Sequence, residues 1–117
     1  MKSLKQIKIR LREFAAERDW DQFHSPKNLA MALAGEAGEL LELFQWLTQE
    51  ESHALADSPE EMAKVREELA DILIYLVRLA DKLGVDLEEA ALAKIETNAE
   101  RYPVDKARGT ATKYDEL

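Results

Sequence analysis

Apolar residues recur every three or four positions along most of the chain, and no segment alternates convincingly between apolar and polar residues. Such spacing is typical of amphipathic helices, because positions three, four and seven apart share one helix face. The sequence therefore predicts an all-α fold without strands. The predicted helices lie at about 4–18, 26–48, 59–83 and 86–102, with a polar loop at 49–57 and an irregular tail from about 103.

Local signals set most of these boundaries. Ser25 and Ser58 are each followed by proline, a pairing typical of an N-cap residue and the first helical position. Asp86, three residues before a glutamate, gives a similar start signal for the last helix. Gly84 suits the end of the third helix, because glycine readily adopts the left-handed conformation found there.

The third predicted helix is apolar almost all round between Leu69 and Val77. A helix with this pattern needs partners on two sides, and a chain of 117 residues has few elements to provide them. We therefore expect a single domain over residues 1–117, folded as a four-helix bundle and completed by oligomerisation with a second copy.

Composition and charge narrow the classes of function. The chain has no cysteine, so it offers no disulfide, thiolate metal site or cysteine nucleophile. A net charge of -8 argues against binding of duplex nucleic acid, which depends on cationic contacts to phosphate. The first ten residues are too charged for a signal peptide, and no apolar run has membrane-spanning length. We expect a cytoplasmic protein without a membrane or nucleic-acid partner.

A carboxylate interrupts the apolar stripe of the second predicted helix. Glu36 shares its face with Leu33 and Leu40, and Glu39 lies one turn further on, at the edge of the same stripe. An ionised carboxylate in such a position costs several kcal/mol unless it is paired or binds a metal, and no lysine or arginine lies on that arc. This pair is the first candidate for a metal site.

The third predicted helix carries a second acidic pair, Glu68 and Asp71, with the same spacing. Two helices that each present such a pair can place four oxygen donors around a hard divalent cation, Mg²⁺ or Mn²⁺. A di-iron site fits less well, because it usually needs Glu-x-x-His pairs and the chain has none. The alternative is that these acids only form solvated faces or pair with lysines.

Aromatic, amide and cationic residues form a second group of candidates. The aromatic residues are either core residues or stacking partners for a nucleobase. His24, just before a helix start, is either a local capping or packing residue or a general base, and it is counted among the substrate-binding candidates. The polar residues of the fourth helix and tail form either a solvated face or a wall that contacts a sugar or phosphates. The candidates are Trp20, His24, Trp46, Tyr75, Lys94, Asn98, Arg101, Tyr102, Arg108 and Lys113.

Glu36-x-x-Glu39 followed by Glu68-x-x-Asp71 resembles the divided signature of the MazG-like all-α nucleoside triphosphate pyrophosphohydrolases. The chain is most similar to the dCTP pyrophosphatase branch of this family, from about residue 11 to the C-terminus. The similar segments are Phe14 to Trp20, Phe23-His24, Gly38 to Leu40, Glu42 to Trp46, Asp71 to Leu76 and Lys113-Tyr114. One departure is Leu11, where the vertebrate dCTP enzymes carry a histidine.

The resemblance implies Mg²⁺-dependent cleavage of a nucleoside triphosphate, dCTP or modified dCTP, to the monophosphate and pyrophosphate. It implies that the four acids bind Mg²⁺, that the aromatic and polar candidates contact the nucleotide, and that the protein forms a homodimer or homotetramer. We expect Glu39 to orient or deprotonate the attacking water. Two alternatives stay open: the same fold acting on dUTP or damaged nucleotides, and a non-catalytic dimeric helical module.

Overall fold

The computed structural model describes residues 3–117, and every regular element in this range is a helix. The α-helices are α1 (Leu4–Glu17), α2 (Pro26–Glu42), α3 (Gln49–Ala54), α4 (Pro59–Leu83), α5 (Leu87–Arg101) and α6 (Val104–Ala107). Short 3₁₀ turns cover Asp21–Phe23, Leu55–Asp57 and Tyr114–Glu116. The all-α prediction is confirmed, and the four predicted helices correspond to α1, α2, α4 and α5.

Capping explains why several boundaries were predictable. The Ser25 hydroxyl accepts a hydrogen bond from the Asn28 N–H at 3.1 Å, which satisfies one of the open donors at the start of α2. Ser58 caps α4 in the same way. Helix α4 ends before Gly84, which has a φ of 69°, a conformation that glycine adopts without a Cβ clash.

Three boundaries differ from the prediction. Helix α2 ends at Glu42 rather than near residue 48, and residues 43–46 form turns. The predicted loop at 49–57 is wrong, because α3 begins there with a reciprocal capping box between Thr48 and Glu51. The tail expected to be irregular contains α6 and a 3₁₀ turn.

The chain divides into two compact units, Met1–Gly84 and Val85–Leu117. In the first unit α1 and α2 pack against α4, and the buried apolar residues are Ala15, Leu29, Val65, Val77 and Ala80. In the second unit, residues 85–117, no side chain is fully buried. The assignment of both units to one domain stays a prediction, and its first two residues lie outside the described range.

Helix α4 leaves many of its apolar side chains uncovered. Leu69 is 52% exposed, and Leu73, Ile74 and Leu76 are also exposed. The predicted burial on two faces is therefore not achieved by the elements of this chain. None of the described helices combines the length and the apolar content that a membrane-crossing helix would need.

Candidate active site

Helices α2 and α4 bring three carboxylates together. One oxygen each of Glu36, Glu39 and Glu68 lies within 4.8 Å of the others, and these residues are called the acid cluster below. Glu36 and Glu68 are half-buried, whereas Glu39 is exposed. Oε2 of Glu36 and Oε2 of Glu68 are both buried without a hydrogen-bond partner in the described chain. Such oxygens are rare in folded proteins, because nothing in the chain compensates for their lost hydration.

The acid cluster shifts the ionisation of its own members. The neighbouring carboxyl of Glu68 raises the pKa of Glu36 above its ordinary range, and burial and the charge of Asp71 add to this effect. The carboxyl of Glu36 likewise raises the pKa of Glu39. Like charges at short range disfavour the ionised form, so Glu68 makes Glu36 harder to deprotonate and Glu36 does the same to Glu39.

The cluster suits a hard divalent cation. All of its donors are carboxylate oxygens, and no ion pair within residues 3–117 involves Glu36, Glu39 or Glu68. Asp71, the predicted fourth ligand, is not part of the group within 4.8 Å, although its charge contributes to the raised pKa of Glu36. The role of all four acids as metal ligands stays a prediction.

The three candidate stacking residues have different surroundings. Trp46 lies in the turns after α2 rather than on the helix, and it is 86% exposed. Tyr75 is half-buried on α4. Trp20 packs edge to face against Phe14, with ring centroids 5.7 Å apart. An exposed tryptophan can stack on a ligand, but base contacts of these residues stay predictions.

The position of Trp20 depends on the tight end of α1. Asp19 adopts a φ of 56°, which lets the chain turn back, and the Trp20 N–H donates to the Ala15 carbonyl at 2.8 Å. The Arg18 guanidinium covers the other partner, the Phe14 ring, at 3.6 Å from its centroid. The turn at the end of α1 and the Phe14 ring therefore hold Trp20 in place.

His24 contacts a residue that the sequence analysis did not select. Its Nδ1 accepts a hydrogen bond from Nε of Arg78 at 3.1 Å, and Arg78 also donates to Asp21 at 2.6 Å. Burial lowers the pKa of His24, and the nearby cations Arg78 and Lys82 lower it further. A cation within an apolar stretch of α4 was the only sequence signal for Arg78, because its partners lie far away in sequence.

The candidates of the second unit are mostly exposed. Lys94 and Asn98 are exposed on α5, and so are Arg108 and Lys113 further along the chain. Two neighbouring residues contact Tyr114: the Arg101 guanidinium lies 4.7 Å from the ring centroid, and Tyr102 packs edge to face at 6.1 Å. Contacts of these six candidates with a sugar or phosphates stay predictions.

Comparison with known proteins places the chain in a family. The MazG-like family profile matches residues 32–117, which include all four acids. The chain is 60% identical over 105 residues to dCTP pyrophosphatase 1 from Bos taurus and 56% identical to the one from Homo sapiens. Each alignment covers 90% of this chain and 62% of the relative, so the chain spans less than two thirds of these relatives.

A solved structure has the same fold as this chain. The crystal structure of a pyrophosphatase from Archaeoglobus fulgidus is similar to this chain with a TM-score of 0.80 and 38% identity. The match covers 88% of this chain and 94% of that one, so it includes most of both. From the family match, these identities and the shared fold, we conclude that the chain belongs to the MazG-like family.

Proposed function

We propose that this protein is a Mg²⁺-dependent nucleoside triphosphate pyrophosphohydrolase that converts dCTP, or a modified dCTP, and water into the monophosphate and pyrophosphate. The observation that carries the proposal is the acid cluster with its two buried oxygens that lack partners. Relatives named dCTP pyrophosphatase 1, 56 to 60% identical to this chain, support the choice of substrate. Such an enzyme would act on the cytoplasmic nucleotide pool.

Four acids would hold the metal ion: Glu36, Glu39, Glu68 and Asp71. Mg²⁺ is the expected ion, and Mn²⁺ would suit the same oxygen donors. When bound, the ion supplies positive charge that offsets the charge of the triphosphate and of the departing pyrophosphate. The like charges within the acid cluster support this assignment, because a cation would relieve their mutual repulsion.

Glu39 is the proposed catalytic residue. Its carboxylate accepts a proton from the attacking water while the water oxygen bonds to phosphorus and the P–O bond between the α- and β-phosphates breaks. Its exposure leaves it accessible to water, and a carboxylate is a suitable proton acceptor for this step. The bond electrons leave with the departing phosphate oxygen, so charge and protons balance.

The remaining candidates would bind the nucleotide. Trp20, Trp46 and Tyr75 would stack on or enclose the base, and His24 would donate a hydrogen bond to the substrate. The residues of the second unit would contact the sugar or phosphates: Lys94, Asn98, Arg101, Tyr102, Arg108 and Lys113. Arginine and lysine suit this role, because their cations complement phosphate oxygens.

We further propose that the protein acts as a homodimer or homotetramer. The support is the apolar surface of α4, where Leu69 and its exposed neighbours extend over more than one turn. On α5, Leu92 and Ile95 are 65% and 59% exposed. Large uncovered apolar side chains on successive turns are typical of surfaces that associate. Molecular mass in solution, measured by light scattering, tests this part of the proposal.

Pyrophosphate release from a panel of nucleotides tests the activity. The purified protein is given dCTP, 5-methyl-dCTP, dUTP, dTTP, dATP and dGTP, each with Mg²⁺ and with a chelator. We expect fastest release from dCTP or its methylated form, and no release in chelator. Faster release from dUTP would make dUTP the preferred substrate without changing the proposed reaction. No release from any nucleotide would favour a non-catalytic helical module.

A second experiment separates base binding from metal binding. Trp46→Ala removes a side chain that is 86% exposed and therefore contributes little to folding. Loss of one stacked base contact should weaken nucleotide binding about tenfold or more, since such stacks contribute about 1–3 kcal/mol. Titration with Mg²⁺ alone should give the wild-type affinity. Unchanged nucleotide affinity would exclude Trp46 from the base site.

A further inference from the structure

Arg78 is a charged residue that α4 buries almost completely, with 5% of its surface exposed. All three of its nitrogens are close to polar atoms from other turns of the chain. Nε donates to Nδ1 of His24 at 3.1 Å, Nη2 donates to Asp21 at 2.6 Å, and Nη1 lies 3.6 Å from Asp81. Arg12 binds Asp81 from α1. These five residues, Arg12, Asp21, His24, Arg78 and Asp81, are called the Arg78 cluster below.

The hydrogen bond to His24 has a defined direction. Arginine remains protonated in proteins and offers only N–H donors, so its Nε cannot accept a proton from the imidazole. Nδ1 of His24 must therefore carry the lone pair, and the proton of the neutral ring must be on Nε2. Burial and the charges of Arg78 and Lys82 lower the pKa of His24, which favours the neutral ring.

We propose that Arg78 is a positioning residue that fixes His24 as a neutral Nε2–H donor for a hydrogen-bond acceptor of the nucleotide. The inference rests on the proposed function, because it assigns the substrate as the partner of Nε2. Arg78 itself does not need to touch the nucleotide. Its burial and its three polar contacts hold the guanidinium in one orientation, and that orientation selects one tautomer and one ring plane of His24.

Arg78 uses His24 as the acceptor for its third nitrogen. The carboxylates of Asp21 and Asp81 lie at Nη2 and Nη1, so Nε–H needs an acceptor of its own. Here its Nε–H is directed to a half-buried imidazole, whose second nitrogen has no hydrogen-bond partner among residues 3–117. A half-exposed donor without a partner remains available to a ligand.

The first test reads the tautomer directly. Two-bond ¹H–¹⁵N correlation spectra of the uniformly ¹⁵N-labelled protein distinguish Nε2–H from Nδ1–H histidine without any substrate. We expect His24 in the Nε2–H form in the wild type and a mixture of both forms in Arg78→Lys, which keeps the charge but loses the guanidinium Nε–H. The matched control Lys82→Gln should keep the Nε2–H form, because Lys82 contacts Asp21 and not His24. A wild-type Nδ1–H form would overturn the proposal.

The second test asks whether Arg78 acts through His24. The four proteins of a double-mutant cycle are the wild type, His24→Ala, Arg78→Lys and the double variant. We expect His24→Ala to raise KM about tenfold, from loss of one hydrogen bond to the nucleotide, while kcat changes less than about threefold. Arg78→Lys should raise KM in the wild-type background and have no further effect beside His24→Ala.

The outcomes separate this inference from the proposed function. Additive effects of the two substitutions on KM, with normal wild-type turnover, would overturn the role of Arg78 and leave the proposed function intact. Absence of wild-type turnover would instead remove the proposed function and, with it, the substrate as partner of Nε2. Should Arg78→Lys fail to fold, the wild-type tautomer and the effect of His24→Ala on KM still decide the proposal.

Discussion

Helix α4 contributes to two clusters of charged side chains that differ in whether their charges are paired. In its N-terminal half Glu68 joins the acid cluster, where all charges have one sign and two buried oxygens have no partner in the described part of the chain. In its C-terminal half Arg78 and Asp81 belong to the Arg78 cluster, where carboxylates, guanidinium groups and the imidazole contact one another at 2.6 to 3.6 Å. The same helix therefore holds a satisfied and an unsatisfied charge cluster.

The two clusters differ in how their buried charges are compensated. Removing a charge from water costs several kcal/mol, and the protein recovers that cost either from its own groups or from a ligand. The Arg78 cluster recovers it internally, which favours a fixed geometry. No cationic group among residues 3–117 does this for the acid cluster, so a bound cation would supply the missing compensation. The uncompensated charge of the acid cluster, rather than the number of its acids, makes it the candidate metal site.

The largest expected effect comes from Glu39→Gln, which tests whether the unsatisfied cluster does chemistry. The amide keeps the shape of the side chain but cannot accept a proton, so kcat should fall by about 10²–10⁴-fold. Because Glu39 is exposed, helical content and thermal stability should stay close to wild type. The matched control is Glu42→Gln, three residues further on α2 and also exposed. Full activity of Glu39→Gln would remove Glu39 from the mechanism.

The converse variant, Asp81→Asn, tests whether the satisfied cluster holds the fold. Asp81 accepts two hydrogen bonds from Arg12, at 2.6 and 2.7 Å, and its side chain is 10% exposed. An amide cannot accept both in the same geometry and leaves the Arg12 guanidinium without a counter-charge, while Arg78 keeps its ion pair with Asp21. Unfolding in urea should show a loss of about 2 kcal/mol in the free energy of unfolding. An unchanged midpoint would mean that the cluster contributes little to stability.

The fold was largely predictable from local signals, and the errors in the predicted helix boundaries also have local causes. The starts of α2 and α4 were predicted from Ser25 and Ser58, whose hydroxyls accept the expected hydrogen bonds. The end of α2 was missed because no glycine or proline follows Glu42 closely. Helix α3 was missed although Thr48 and Glu51 have the spacing of a capping box, a signal that was present in the sequence.

The carboxylates of the site were predictable because each pair lies on one face of one helix. The spacing of Glu36, Glu39 and Glu68 indicated that two helices could bring carboxylates together, and these three lie within 4.8 Å of one another. The link from Arg78 to His24 and Asp21 joins residues 54 and 57 positions apart. No periodicity within a helix contains that information, because it depends on how the segment after α1 packs against α4.

A smaller effect is expected from Glu68→Gln in the metal-free protein. The amide removes one like charge from the acid cluster and can donate a hydrogen bond to a neighbouring carboxylate. In chelator, the melting temperature should therefore rise by about 2–5 °C, while the stabilisation that Mg²⁺ gives to the wild type should be lost. Glu67→Gln, exposed on the same helix, is the matched control and should change neither quantity. A lower melting temperature for Glu68→Gln in chelator would show that the cluster is already compensated.

The smallest effect is a pH dependence in which the two clusters have opposite signs. Hydrogen bonding to Arg12 lowers the pKa of Asp81 in the folded state below its ordinary value of 3.8. Its contribution to stability is therefore complete above that value and is lost as the pH falls through the lowered pKa. The pKa values of Glu36 and Glu39 are instead raised above their ordinary value of 4.5. These two groups favour the folded state once they are protonated, so their contribution grows as the pH falls from neutrality through the raised values.

In chelator, the stability of the wild type should therefore first rise as the pH falls towards 4.5 and then decline below 3.8. Urea midpoints measured at a series of pH values should separate the two contributions. Glu68→Gln should weaken the rise, because Glu68 is the main cause of the raised pKa of Glu36, and Asp81→Asn should weaken the decline. Saturating Mg²⁺ should abolish the rise, because the metal binds the ionised carboxylates and competes with protons. If both variants kept the wild-type profile, the two clusters would not differ in charge compensation.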